Sequence, residues 1–231
     1  MTPPASRAAA HRPDGAAECG DADGAAECVD RVCSLAARVQ GALERLYRLD
    51  RVVSVEGFVR GTRAGEREAL LLKEGADGDL EVSVRLPPLP DPRGKLDLDT
   101  LCQVIEGVSH FVYVVERART GRAATQLELE LQAEVDKWVV LAASIHSFDA
   151  HLSAKLRARL FEDFVFLHDE TCEADRELAE RYRVANDVAH RFVRRLERDY
   201  VGRARFGELH AELRVFFHIG QEGKLRLGRA A

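Results

Sequence analysis

The sequence is poor in the signals that announce a chemistry. It has no Walker loop, no Gly-x-Gly-x-x-Gly, no Gly-x-Ser-x-Gly and no His-Glu-x-x-His. The phosphate-cradling loops, the nucleophile elbow and the zincin helix that those patterns build are thereby excluded. There is no strand–helix alternation of the kind that carries a nucleotide on a parallel sheet. The five cysteines (Cys19, Cys28, Cys33, Cys102 and Cys172) are odd in number, irregularly spaced and without a Cys-x-x-Cys pair. That argues against a disulfide framework or a four-thiolate zinc site and points to a reducing cytoplasm. The N-terminus has no apolar core of the signal-peptide type. The longest apolar run, Trp138 to Ile145, is far short of the roughly 20 residues a membrane helix needs. A net charge of -5 gives no global attraction to nucleic acid or to an anionic membrane.

What is present suits a globular protein with a real core: 231 residues, 46% hydrophobic and 32% charged, enough for one large domain. Arginine far outnumbers lysine and alanine is abundant, which points to a GC-rich bacterial genome. Residues 1–24 are Ala, Gly, Pro, Asp and Arg with almost no large apolar side chain. Such a segment buries too little surface to offset its ordering entropy and reads as a disordered tail. Residues 25–49 read as a helix, with Val32, Leu35, Val39, Leu43 and Leu46 on one stripe. Residues 52–86 read as a three-stranded antiparallel meander broken by glycine-rich turns; Leu80, Val82, Val84 and Leu86 alternate with polar residues. The proline run from Pro87 to Pro92 closes the sheet.

Residues 97–220 read as a helical bundle organised on one hairpin, Asp99 to Ser147. Asp97 or Asp99 caps the first arm, and the second arm carries Leu127, Leu131, Val135, Trp138 and Ala142 in phase. Further helices are expected at about 151–167, 174–200 and 206–219, and residues 221–231 as a loose polar tail. The expected architecture is α+β, mostly α: a single domain over 25–220 with about five to six helices and a small antiparallel sheet near the N-terminus.

Within the hairpin, Glu106 and His110 are four apart and share a helix face, as do Glu130 and Glu134 on the second arm. Glu128 and Asp136 lie nearby. In Leu127-Glu-Leu-Glu-Leu131 the acids alternate with leucines, so their arc comes close to the apolar stripe. Helical bundles that bind two metals aim Glu and Glu-x-x-His side chains inward; here the spacing is Glu-x-x-x-His and occurs once. Glu106, His110, Glu130 and Glu134 are therefore the candidate metal ligands and catalytic residues, with His146 as a further ligand. The alternative for the same residues is a solvated acidic face beside a partly buried histidine. His168 and Cys172, four apart, form another possible metal pair or simply an inter-helix turn. Arg191, Arg194, Arg195, Arg198, Arg203 and Arg205 form a basic cluster, diluted by Glu197 and Asp199, which reads as a solvated helix end.

Arg183 and His190, with Asn186 and Asp187 between them, make an Arg-x6-His element. This stretch resembles the Arg-x(4–6)-His signature of HEPN-type helical ribonucleases. The resemblance covers only these few residues, and Val184 stands where that family often has a polar one. It implies that Arg183 would steady a phosphate while His190 acts as acid or base.

The sequence leads to three expectations. The first is a non-catalytic protein-interaction or regulatory module in the cytoplasm, with a protein partner or self-association and without membrane or nucleic-acid binding. No cofactor is expected for it. The second is a metal-dependent helical-bundle enzyme using a divalent ion at Glu106, His110, Glu130 and Glu134. The third is the HEPN-like ribonuclease at Arg183 and His190.

Overall fold

The structure, a computed structural model, describes residues 22–50, 53–63, 66–74, 80–90, 94, 96–162 and 173–230. Seven α-helices and three strands follow one another among the described residues: α1 (Ala22–Tyr47), β1 (Val59–Gly61), β2 (Ala69–Glu74), β3 (Leu80–Leu86), α2 (Leu98–Arg119), α3 (Gln126–Ser144), α4 (Ala150–Phe161), α5 (Glu173–Asp199), α6 (Phe206–His218) and α7 (Gln221–Arg229). The mostly helical α+β reading holds. No described helix is long and apolar enough to cross a membrane.

The hairpin of α2 and α3 is built by local chemistry at its ends. Asp97 accepts the Thr100 backbone N–H at 2.8 Å, so an acid caps the positive end of α2. Gly121 takes φ 65°. Its N–H donates to Ala118 O and that of Arg122 to Arg117 O, which satisfies the last carbonyls of α2 in a Schellman turn. Thr125 and Glu128 then form a reciprocal capping box that starts α3. The apolar faces of α1, α2, α3, α5 and α6 meet in one core. Tyr47 stacks on Phe217 at 4.2 Å and Phe192 on Phe216 at 4.3 Å between ring centroids. Val32, Val39 and Leu43 of the expected α1 stripe are buried, and Leu35 and Leu46 are half-buried.

The sheet is mixed, not antiparallel. Its order is β1-β3-β2, with β3 parallel to β1 and antiparallel to β2. Where the expected meander over 52–86 begins, the described chain forms a 3-10 turn, Val55–Phe58, followed by only three strand residues. The alternation in β3 explains its central place. Val84 and Leu86 are fully buried and lie against α2, where Gly107 makes room for them. A Cβ on Gly107 would sit 2.6 Å from Leu86 Cδ2.

The helix count exceeds the expected five to six because 221–229 is helical. Its Lys224 is fully buried, donating to Gln132 Oε1 at 2.5 Å and to the Phe216 carbonyl at 2.8 Å. A polar sequence hid this helix because its anchor is a hydrogen-bonded lysine rather than an apolar stripe. Residues 1–21, and with them most of the expected tail, lie outside the described residues, as do His168 and Cys172.

Candidate metal centre

The hairpin brings three of the four singled-out residues together. One ligand atom each from Glu106, His110 and Glu130 lies within 4.8 Å of the others. His110 Nε2 is 3.8 Å from Glu130 Oε2. Two donors about 2.1 Å from a tetrahedral metal stand about 3.4 Å apart, so side-chain adjustments of about an ångström would close this set on an ion. Burial is nearly complete: residue exposure is 3% for Glu106 and 8% for Glu130.

The fourth residue, Glu134, belongs instead to an ion triad. Lys137 Nζ donates to Glu134 Oε1 at 2.7 Å and to Glu106 Oε2 at 2.9 Å. His146 is exposed near the far end of α3, about 20 Å along the helix from Glu130 at 1.5 Å per residue, and takes no part. Glu128 caps α3 and pairs with Arg117 at 3.0 Å. Asp136 faces the other way into the core, accepting from Ser109 at 2.6 Å, from Gln132 at 2.9 Å and from Tyr47.

The histidine is set up as a ligand. Its Nε2 is buried without a hydrogen-bond partner among the described residues. The backbone of Leu129 stands beside the ring. A backbone partner on the second nitrogen is the usual support of a metal-bound imidazole. Burial, with Lys137 adding to it, lowers the His110 pKa even though the Glu106 charge opposes this. The ring is therefore neutral, the form that binds metal.

The carboxylates carry more negative charge than the cations nearby can balance. Burial would push Glu106 up, but the Lys137 ammonium reverses this and holds it below the ordinary carboxylate range. Lys137 is held well above its ordinary value, because Glu106 and Glu134 outweigh its desolvation. Burial raises Glu134. Burial and the Glu106 charge push Glu130 up to about 8. The same two causes push up Glu68, the residue before β2, to about 8. Lys137, and Arg67 at 3.7 Å from Glu68, set two positive charges against four acids. Without a further cation the excess is relieved by protons on Glu68 and Glu130.

No family model matches this chain. No curated protein matches it either, and no solved structure does. The functional reading rests on the geometry.

Glu130 and His110 line a cleft of about 570 Å³ together with Glu68, Leu70, Arg181 and Tyr182. That volume is ordinary for a small-molecule site. Sequence reasoning missed Glu68, Lys137 and Arg181. The Glu134-x-x-Lys137 spacing was a usable signal for the triad. Glu68 and Arg181 come from a strand edge and from α5, and only the tertiary fold connects them to the hairpin.

Arg183 and His190 each have partners of their own among the described residues. Arg183 pairs with Glu180 at 3.6 Å on an exposed face of α5. The His190 ring stacks on Phe161 at 5.5 Å. Its Nε2 stands 2.7 Å from Arg157 Nη1 and 3.3 Å from Glu162. The arginine beside this histidine comes from α4, not from the Arg-x6-His element.

Proposed function

We propose that the cleft is the site of a metal-dependent enzyme, with Glu106, His110 and Glu130 as the ligands of one divalent ion. The observation that carries this reading is the convergence of two buried carboxylates and a neutral imidazole whose Nε2 has no other partner. A mixed nitrogen and oxygen donor set suits Mn²⁺, Fe²⁺ or Zn²⁺. A bound ion would supply Lewis acidity and a more acidic bound water. Glu68, with its pKa at about 8, holds a proton at neutral pH and is placed on the cleft wall to deliver it as a general acid. Lys137 keeps Glu106 ionised and fixed.

The test is the metal affinity of purified full-length protein for Mn²⁺ and Zn²⁺. One equivalent should bind, and His110→Ala should weaken binding by about 100-fold or more, above the usual loss from a supporting residue, while unfolding stays cooperative. Equal metal binding by the wild type and His110→Ala would remove the reading.

A second reading, a protein-interaction module, is favoured by the exposed apolar side chains of the edge strand. Leu71 and Leu72 on β2 are 43% and 45% exposed, and an unpaired edge can receive another strand. Sedimentation of wild type and a Leu71→Lys variant tests it for self-association: a shared monomeric mass would count against it.

A further inference from the structure

Arginines line the same cleft as the acids. Arg117, Arg122 and Arg181 all line it. Arg117 is 7% exposed. One of its terminal nitrogens, Nη2, bonds to Glu128 and to the Ile219 carbonyl, yet its Nε is buried with no hydrogen-bond partner among the described residues. The Nε of Arg181 is in the same condition. Two buried guanidinium N–H groups without acceptors in one cleft are costly unless an acceptor arrives from outside.

The balance of charge favours an anion there. Lys137 neutralises one of the two charges on Glu106 and Glu134. Arg117 is already paired with Glu128, whereas Arg122 and Arg181 stand at salt-bridge distance from no carboxylate among the described residues, so these two supply the positive charge on the cleft wall. Planar guanidinium forks match phosphate oxygens. Leu70, Leu72, Val114 and Leu129 supply an apolar wall for the rest of a ligand.

We propose that this cleft takes a small phosphorylated compound, its phosphate held by Arg117, Arg122 and Arg181 and its far end resting on the apolar wall beside Glu68, His110 and Glu130. This names the substrate class for the metal-centre reading, and it rests on that reading only for catalysis. The arginine subsite binds phosphate without metal.

Calorimetry on the full chain tests it, with inorganic phosphate, phenyl phosphate and benzoate as probes, each in EDTA and again with Mn²⁺. Phenyl phosphate should bind in EDTA with a Kd below about 1 mM, and Mn²⁺ should tighten it. The Arg122→Ala and Arg181→Ala variants, which leave the Arg117–Glu128 pair intact, should each weaken it about tenfold, with Mn²⁺ affinity held within about twofold. Glu130→Gln should reduce Mn²⁺ binding and leave phenyl phosphate binding in EDTA in place. Failure of Mn²⁺ to bind while phenyl phosphate still does would sink the metal centre and keep the phosphate subsite. No saturable phosphate or phenyl phosphate binding in either condition would overturn the proposal. So would benzoate binding as tightly as phenyl phosphate, or arginine variants that bind like the wild type.

Discussion

Replacing Glu130 by glutamine should make the metal-free protein less sensitive to alkaline pH. Glu130 is raised from an ordinary 4.5 to about 8, first by burial and then by the charge on Glu106. Its folded pKa lies above its unfolded one, so the folded state binds its proton more tightly. That contribution is fully present below pH 4.5 and is lost as the pH rises through 8. At 1.36 kcal/mol per tenfold step in proton affinity, the whole gap amounts to about 5 kcal/mol, and most of it falls between pH 5 and 8. Water entering the open cleft reduces this, which leaves a loss of about 2–4 kcal/mol for the wild type over that range. Glutamine keeps the volume of the protonated acid and cannot ionise. Urea unfolding in EDTA at pH 5 and pH 8 reads the difference directly. The two proteins should be close at pH 5, and Glu130→Gln should be the more stable by about 2–4 kcal/mol at pH 8. Parallel stability curves for the two proteins would refute the claim that Glu130 is buried beside uncompensated negative charge.

Other consequences follow from the same geometry. Lys137→Met leaves Glu106 and Glu134 buried without their shared ammonium and should cost about 3–5 kcal/mol at pH 7 in urea unfolding. Gly107→Ala places a methyl 2.6 Å from Leu86 Cδ2 and should destabilise by about 1–3 kcal/mol, measured the same way. Lys224→Met removes both donations that hold α7 and leaves buried acceptors on Gln132 and Phe216 unpaired. Thermal melts should show a loss of about 1–3 kcal/mol, and hydrogen exchange should show α7 opening first. His146→Ala, far from the cluster, should leave metal affinity unchanged in titrations with Mn²⁺.

The helical periods carried most of the fold because packing in this protein follows simple stripes. The buried Leu131, Val135 and Trp138 of α3 and the buried Phe192 and Leu196 of α5 could be read from spacing alone. The sheet could not. Alternation in Leu80–Leu86 marked a half-buried strand, but nothing local says that β3 lies between β1 and β2. Nor does anything local say that Gly107 admits Leu86 to the face of α2. Helix α7 escaped notice because it is anchored by a buried lysine. At the site, i,i+4 spacing brought out Glu106 and His110, and the leucine–glutamate alternation brought out Glu130. The same spacing drew in Glu134, which the fold assigns to Lys137. Glu68 and Arg181 are distant in sequence from the hairpin and carry no periodic mark of their role.

The most direct test of the account is the number of protons released when a divalent ion binds. Calorimetric titration of the EDTA-treated, dialysed protein with Mn²⁺ at pH 7, in two buffers of different ionisation enthalpy, gives that number. Glu130 holds a proton at this pH through burial and the Glu106 charge, and an ion that it ligates must expel that proton. The account predicts release of about one proton per ion, falling to near zero in Glu130→Gln. Binding that releases no protons, or the same release from Glu130→Gln, would contradict it.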